Sequence, residues 1–251
     1  MLKATLERIR QKHRTTRYPA EPASLPELFR GYPQLDPARC PPGCTCCTEA
    51  CPVAAIYHAN GLAVDLGKCL FCPECEQACP TGAVRFTADE KLATSEREDL
   101  VVREGEERRL AHDLGKELVS LYGRSFKLRE VSAGGCGACE ADTNVLSTVG
   151  YDLGRFGIQF VASPRHADGM FVTGPVTENM RSALLKTWEA IPGPKVLIAA
   201  GACAIDGGPF HGHHEVHDGV DTFLPVDLYI PGCPPHPLTI LDGLLRLLGR
   251  R

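Results

Sequence analysis

The carboxyl-terminal half of the chain alternates short apolar runs with longer segments whose apolar residues recur at helical spacing. Strands that alternate with helices in this way predict an α/β domain with a parallel sheet and helices on its faces. The predicted strands are 127–132, 158–162, 169–173, 195–199 and 227–230, and the predicted helices are 139–148, 177–190 and 237–248.

The amino-terminal half has a different pattern, built on an internal repeat. The run Cys51-Pro-Val-Ala-Ala-Ile56 returns as Cys79-Pro-Thr-Gly-Ala-Val84. Each copy ends in a short apolar strand, and residues 61–65 are predicted to form the strand that enters the second copy. The chain is therefore expected to fold as a small repeat domain followed by the α/β domain.

Two charged or proline-rich stretches flank the repeat. Residues 1–18 are basic and loosely amphipathic, and the prolines that follow exclude a long helix. This arm is either a solvated tail or a segment that lies on a partner subunit. The predicted divisions are an arm over 1–35, the repeat domain over 36–88, a charged linker over 89–115 and the α/β domain over 116–251.

Composition narrows the class of protein. The chain has 251 residues, of which 43% are hydrophobic, and no run of 18 apolar residues, so we expect no membrane span. Its first ten residues lack the apolar core of a secretory signal. The net charge of −4 gives no support for nucleic-acid binding, and we expect no nucleic-acid partner.

The number and spacing of the cysteines indicate the chemistry of the protein. There are thirteen cysteines, and in a chain without an export signal dense cysteine more often indicates metal than disulfides. The second copy of the repeat, Cys69-x2-Cys72-x2-Cys75-x3-Cys79-Pro, fits the bacterial [4Fe-4S] run, in which the fourth cysteine ligates the other cluster. Structural zinc is the alternative for these thiolates.

The first copy departs from that run. Cys44, Cys47 and Cys51 have the expected spacing, but the leading residue, Cys40, comes one position early. Either an extra residue in the loop is absorbed as a wider turn, or Cys46 is the ligand; we favour Cys40. Crossing the fourth ligands gives cluster 1 as Cys40, Cys44, Cys47 and Cys79, and cluster 2 as Cys51, Cys69, Cys72 and Cys75.

Four more cysteines lie far apart in the sequence, at the ends of predicted strands. Cys136 and Cys139 follow the first strand of the α/β domain, and Cys203 and Cys233 each follow a later one. The carboxyl ends of strands in an open parallel sheet line one crevice, the usual ligand site. Small neighbouring residues let the backbone approach a bulky group, so the sequence predicts a third [4Fe-4S] cluster.

The motifs resemble two known families. Residues 40–80 resemble two-cluster bacterial ferredoxins, and the arm around 17–31 looks like the one that precedes this module in hydrogenase and complex I-type assemblies. Residues 126–242 resemble the small electron-transfer subunit of membrane-bound group 4 [NiFe] hydrogenases, including formate hydrogenlyase, and the complex I subunit that carries the terminal cluster. The matching motifs are Gly135-Cys136-x-x-Cys139-Glu140, Asp152-Leu-Gly-Arg155-Phe156-Gly157, Ser163-Pro-Arg165-His166-Ala167-Asp168, Val172-Thr-Gly174-Pro175-Val176-Thr177, Gly201-Ala-Cys203 and Pro231-Gly232-Cys233-Pro234-Pro235.

This resemblance implies a ferredoxin-like α+β domain followed by a flavodoxin-like α/β domain without flavin, and three [4Fe-4S] clusters. It implies an oxidoreductase complex at the cytoplasmic side of the membrane, with membrane subunits, a redox donor or acceptor protein, and a large subunit of the [NiFe] hydrogenase or complex I type. The two-residue gap between Cys136 and Cys139 favours hydrogenase, because those cysteines are adjacent in complex I. The alternatives are a complex I-like quinone reductase and a non-enzymatic iron–sulfur scaffold or sensor.

Three other groups of residues have side chains that could take part in function. Glu140, next to a ligand at a helix start, either complements the helix N-terminus or helps to move protons near the cluster. Arg165 and His166 are expected to contact the large subunit. The histidines between 211 and 217 lack the partners of a zinc pattern and are expected to form a surface loop.

Overall fold

The computed structural model describes residues 2–11, 14–22, 24–59 and 61–251. The predicted arm includes Met1, Lys12, His13 and Ala23, and the predicted repeat domain includes Asn60; these five lie outside the described residues. Among the described residues, no helix is long and apolar enough to cross a membrane.

The strands and helices follow the predicted pattern with shifts of a few residues at their ends. The strands are β1 (Pro33–Leu35), β2 (Ile56–His58), β3 (Leu62–Asp65), β4 (Val84–Phe86), β5 (Val101–Arg103), β6 (Phe126–Ser132), β7 (Ile158–Phe160), β8 (Gly169–Thr173), β9 (Val196–Ala200) and β10 (Leu228–Ile230). The α-helices are α1 (Leu2–Gln11), α2 (Cys46–Ala50), α3 (Glu74–Ala78), α4 (Lys116–Tyr122), α5 (Ala138–Val145), α6 (Glu178–Ala190), α7 (Ala202–Asp206) and α8 (Pro237–Leu247).

A five-stranded sheet forms the centre of the carboxyl-terminal domain, in the order β10-β9-β8-β6-β7, with every neighbouring pair parallel. This confirms the predicted parallel α/β sheet. Numbered from the first strand of this sheet, the order is 2-1-3-4-5, which is the order of flavodoxin-like folds. In such a sheet ligands bind where the strand order reverses, here between β6 and β8.

Apolar residues cover both faces of this sheet. Strands β8, β9 and β10 are buried along their whole length, as expected of parallel strands covered on both sides. One face packs Phe126 and Leu128 against α8. The other face packs Met170 and Val172 with Leu184 of α6 and with the amino-terminal domain.

Helix α8 begins directly after the last thiol-bearing loop, and its first turn is capped by a side chain. The ring nitrogen Nδ1 of His236 accepts a hydrogen bond from the backbone N–H of Leu238 at 3.1 Å, and Pro237 occupies the first turn. A side-chain cap followed by proline is a strong helix start. The loop before it, which carries Cys233, is thereby held against the sheet.

The amino-terminal domain is built from short antiparallel strands. One sheet has the order β2-β3-β5, and β1 pairs with β4 in a second. Strands β2 and β4 follow the two copies of the repeat, as the repeat predicts, and β3 is the strand predicted over 61–65. Short helices α2 and α3 lie in equivalent places, each just before the last cysteine of its copy.

The segment predicted as a charged linker, 89–115, differs from an exposed connection. Leu92, Ala93 and Leu100 are buried. Thr94 forms an antiparallel bridge with Tyr229, and β5 pairs with β3. These apolar residues are few and lie between runs of charged residues, so their burial could not be predicted from the composition of the segment. Their side chains join the two domains through one continuous core.

Part of the predicted arm packs on this chain. The guanidinium of Arg155 donates to the backbone carbonyls of Thr16 at 2.7 Å and Tyr18 at 2.8 Å. The Tyr18 hydroxyl donates to the buried carboxylate of Asp242 at 3.0 Å. The arm around Thr16 and Tyr18 therefore lies on the α/β domain, where the buried Tyr18 hydroxyl and Asp242 carboxylate are hydrogen-bond partners.

Candidate metal centres

The four scattered cysteines of the α/β domain converge at one edge of the parallel sheet. Cys136 and Cys139 follow β6, Cys203 lies in α7 after β9, and Cys233 follows β10. Burial raises the pKa of Cys139, and the neighbouring Cys203, Cys233 and Cys136 raise it further. The structure thus brings all four thiols within electrostatic reach of one another at the edge that ordinarily binds ligands.

Glycine makes room beside this group. Gly201, which precedes Cys203, has φ +91° and ψ 153°, a conformation that is almost confined to glycine. A Cβ atom at this position would lie 2.7 Å from the Sγ atom of Cys139. The backbone therefore approaches the thiol more closely than any other residue type permits, as the sequence predicted.

The electrostatics of the group fit a cationic inorganic core. Burial raises the pKa of Cys203 to about 12, and Cys233 and Cys136 add to the rise. Thiolates in this place repel one another, and burial leaves Cys139 and Cys203 poorly hydrated, so the group needs a positive partner. Iron supplies that charge and takes thiolates as ligands.

The first group in the amino-terminal domain contains thiols from both copies of the repeat. Burial raises the pKa of Cys47, and nearby Cys79, Cys40 and Cys44 raise it as well. Cys79 comes from the second copy, so the fourth thiol is crossed between the copies. For Cys79, burial raises the pKa, but the backbone N–H groups of residues 84, 81 and 83 outweigh it and lower the pKa below its ordinary value.

Cys40 and Cys46 lie in different surroundings. Burial raises the pKa of Cys40, followed by the charges of Cys44 and Cys79, so this thiol faces both copies of the repeat. The pKa of Cys46 is raised first by a hydrogen bond with Cys44, and its side chain is exposed. This arrangement favours Cys40 as the fourth member of the group.

The second group lines a small apolar pocket in the amino-terminal domain. Burial raises the pKa of Cys69 to about 12, and Cys75, Cys51 and Cys72 contribute. The walls are otherwise apolar and include Val53, Ile56, Val64 and Phe86.

Backbone N–H groups point at the thiols in the same way in both copies. Ala55 donates to Sγ of Cys51 at 3.2 Å, and Ala83 donates to Sγ of Cys79 at 3.2 Å. The repeat seen in the sequence thus recurs as a repeated hydrogen bond, four residues after the crossed cysteine. Such bonds favour the charged thiolate and tune cluster potentials.

The second and third groups are neighbours across the boundary between the domains. Burial raises the pKa of Cys233, and the next causes are Cys136 and Cys72, the latter from the second group. A crevice beside Cys233 is lined by Leu70, Phe71 and His236. The edge of Phe29, from the predicted arm, meets the His236 ring at a centroid distance of 5.2 Å.

The carboxylate of Glu140 stands beside the third group, and that of Glu130 is close to Glu140. Glu140 accepts a hydrogen bond from the Thr173 hydroxyl at 2.7 Å; burial raises its pKa, but hydrogen bonds from Ser132 and Thr173 outweigh this and lower it. Burial, and then the charge of Glu140, raise the pKa of Glu130 to about 7. One oxygen of Glu130 is buried without a hydrogen-bond partner. Glu130 was not predicted from the sequence, although a carboxylate inside the predicted strand 127–132 was the available signal.

The remaining candidates are Arg165, His166 and the histidines between 211 and 217. Arg165 and His166 form a short turn over Pro164–His166. His211 is 3.1 Å from a carboxylate oxygen of Asp206, and His217 hydrogen-bonds Glu178. Across the described ranges, no three His, Cys, Asp or Glu side chains are arranged to hold a single metal ion.

Fold and site together define an α/β protein that gathers four thiols at the carboxyl ends of its parallel strands. Residues 136–247 match the family described as the NADH ubiquinone oxidoreductase 20 Kd subunit. An NADH-quinone oxidoreductase chain of Clostridium beijerinckii is 47% identical over 114 residues, which cover 45% of this chain and 68% of that protein. The chain belongs to this family.

Other relatives have hydrogenase names. Formate hydrogenlyase subunit 7 of Escherichia coli is 46% identical over 126 residues, covering 50% of this chain and 49% of that protein, so the chain spans about half the length of this relative. A probable membrane-bound hydrogenase subunit of Pyrococcus furiosus is 39% identical, covering 53% of this chain and 80% of that protein. In a solved membrane-bound sulfane sulfur reductase, an archaeal respiratory membrane complex, one chain is 33% identical with a TM-score of 0.47, covering 53% of this chain and 73% of that one.

Proposed function

We propose that this chain is the electron-transfer subunit of a membrane-associated, hydrogenase-like oxidoreductase complex. The single observation that carries the proposal is the group Cys136, Cys139, Cys203 and Cys233, gathered at the carboxyl ends of the parallel strands of a family-matched α/β domain. The relatives named as formate hydrogenlyase and membrane-bound hydrogenase subunits support this interpretation.

The thiol groups are proposed to hold three [4Fe-4S] clusters, with Cys40, Cys44, Cys47 and Cys79 at the first, Cys51, Cys69, Cys72 and Cys75 at the second, and the scattered four at the third. Such clusters accept and release single electrons at potentials between about −700 and +450 mV. The protein's part is to hold the sulfurs, to exclude water with residues such as Val64 and Phe86, and to donate backbone N–H groups.

The domain that precedes the family match is proposed to be a ferredoxin-like module fused to the 20 kDa-type domain. Its repeat, its crossed thiols and its matching N–H···S bonds support this assignment. The division into an arm, a ferredoxin-like domain, a connecting segment and an α/β domain belongs to the same proposal, with the connecting segment now packed rather than free.

The partner of the third cluster is proposed to be a large subunit with a nickel–iron site, at the cytoplasmic side of a membrane. The two-residue spacing between Cys136 and Cys139 favours this over a complex I-type partner. Exposure of Cys136 and Cys233 is consistent with a cluster that faces another subunit. Chemistry on hydrogen belongs to that subunit, and Glu140 beside the cluster is a candidate for helping to move protons there.

The second candidate function is a complex I-like quinone reductase, which the 47% identity to an NADH-quinone oxidoreductase chain favours. The third, an iron–sulfur scaffold or sensor without turnover, is tested by reductive titration: clusters that cannot be reduced and reoxidised reversibly argue for it. The sequence of the large subunit separates the first two, since two C-x-x-C pairs there indicate nickel–iron.

The deciding experiment is affinity purification of the tagged chain from its source under anaerobic conditions, followed by metal analysis of the complex. A hydrogenase-type complex is expected to contain nickel together with iron and to oxidise hydrogen with an artificial acceptor. A complex that holds iron but no nickel, and that reduces a quinone, would assign the complex I-like function instead.

A further inference from the structure

A partly buried ion network, here called the junction network, joins the loops of the second and third thiol groups. Arg97 donates two hydrogen bonds to the carboxylate of Asp65, at 2.9 and 2.8 Å, and one to Asp206 at 3.4 Å. Lys68 lies 3.9 Å from Asp206. The side chains of Arg97, Asp65 and Asp206 are 20%, 9% and 18% exposed, so water screens these contacts weakly.

Each carboxylate of the junction network belongs to a different cluster loop. Asp65 ends β3, and its backbone carbonyl accepts the N–H of Cys69 at 3.0 Å. Its side chain also accepts the N–H of Gly67 at 2.8 Å, which shapes the start of that loop. Asp206 ends α7, the short helix that carries Cys203. One guanidinium therefore contacts the loop of the second cluster and the loop of the third.

The backbone around Arg97 is anchored on both sides. Thr94 exchanges two backbone hydrogen bonds with Tyr229 of the parallel sheet, at 3.1 and 2.9 Å. The carbonyl of Leu100 accepts the N–H of Leu66, in the amino-terminal domain, at 2.9 Å. Arg97 thus stands midway along a segment that is bonded to both domains.

The chain also leaves space for the guanidinium. A Cβ atom at position 67 would lie 2.7 Å from Cζ of Arg97, so glycine permits the close approach. Burial lowers the pKa of Arg97, but the hydrogen bonds and charge of Asp65 and the charge of Asp206 outweigh it, and the side chain stays charged. A bidentate arginine–carboxylate pair fixes geometry as well as contributing energy.

We propose that Arg97 is a positioning residue that fixes the distance and orientation between the second and third clusters. The proposal rests on the proposed function, because it concerns electron transfer between those two clusters. One electron leaves the reduced cluster and reaches the oxidised one, and the rate of this step falls exponentially with distance. A small displacement of one loop relative to the other therefore changes the rate without removing either cluster.

The test compares full-length protein, purified anaerobically, with Arg97→Met, Arg97→Lys and the control Arg109→Met. Arg109 pairs with Asp99 at 3.7 Å and is 75% exposed, so its loss removes a surface ion pair of little energetic value. The measurements are iron per chain, the magnetic interaction between the reduced second and third clusters by electron paramagnetic resonance, and the rate of electron transfer between them after rapid reduction.

Arg97→Met is expected to retain its iron but to transfer electrons between the clusters more slowly, because the guanidinium no longer holds the loops of Asp65 and Asp206 together. The magnetic interaction between the clusters of Arg97→Met is expected to weaken. Arg97→Lys is expected to have a rate and a magnetic interaction between those of Arg97→Met and the wild type, because lysine keeps the charge but lacks the two-pronged guanidinium. Arg109→Met is expected to match the wild type in both. An Arg97→Met protein with wild-type rate and magnetic interaction overturns the proposal, as does an equal fall in both Arg→Met variants.

A second variant keeps the test decisive if Arg97→Met fails to assemble. Asp206→Asn removes the charge from the third-cluster side and leaves the Arg97–Asp65 pair in place. It is expected to show the same direction of change, and an unchanged rate overturns the proposal. Failure of the proposed function is visible separately, as a wild-type chain that lacks one of the two clusters.

Discussion

Gly201→Ala is expected to remove the third cluster and leave the other two. The new methyl group would lie 2.7 Å from Sγ of Cys139, about 1 Å inside an ordinary contact distance of roughly 3.5–4.0 Å. Backbone strain at φ +91° and ψ 153° adds about 1–3 kcal/mol. Overpacking adds a further ~1–3 kcal/mol, so the loop is expected to shift and displace the thiol.

Gly115→Ala is the matched control. Gly115 has φ 82° and ψ 159° and precedes a helix, as Gly201 does. A Cβ atom there meets nothing within 4 Å. The control therefore imposes a similar backbone strain without the steric contact. Any difference in iron content between the two variants reports the clash of the new methyl group with Cys139.

The assay is iron and sulfide per chain, with spectra of the reduced proteins. Three clusters contain about twelve iron atoms, and loss of one leaves about eight. We expect about eight in Gly201→Ala and about twelve in Gly115→Ala, with both proteins folded by circular dichroism. A Gly201→Ala protein with full iron and an unchanged spectrum would show that this glycine does not make room for the cluster.

Two further predictions concern single thiols and one carboxylate. Cys40→Ala is expected to lower the iron content by about four atoms and Cys46→Ala to leave it unchanged, as metal analysis will show; the reverse result would exchange their roles. Burial raises the folded-state pKa of Glu130 from 4.5 to about 7, so its stabilising contribution is complete below pH 4.5 and lost as the pH rises through about 7. Glu130→Gln should therefore raise the free energy of unfolding by roughly 1–2 kcal/mol more at pH 8 than at pH 5, a figure reduced to allow for the partial exposure of Glu130. Equal gains at both pH values would contradict this.

The parallel sheet and its thiol-bearing loops could be predicted from the sequence because both depend on local order. Strands β8 and β9 are continuous apolar runs, which identifies buried parallel strands. The cysteines follow strand ends, and the topology of a parallel sheet then brings them together. The crossing of Cys51 and Cys79 was predicted from the spacing of the bacterial [4Fe-4S] run, in which the fourth cysteine ligates the other cluster, and the charge of Cys79 does reach Cys47 of the other copy.

Contacts that depend on long-range packing could not be predicted from the sequence. Leu92 and Leu100 stand among charged residues, and only the folded structure shows them in the core. Arg97 looked like one of many arginines in a charged segment, yet it contacts carboxylates from both domains. No periodicity in the sequence reports such a contact, because its partners are 32 and 109 residues away.

Whether three clusters carry electrons through this chain is tested most directly by a reductive titration of the anaerobically purified wild-type protein with parallel iron analysis. We predict about twelve iron atoms per chain and three clusters that are reduced and reoxidised reversibly. About eight iron atoms, or clusters that do not return to the oxidised state, would show that the chain does not carry electrons through three clusters.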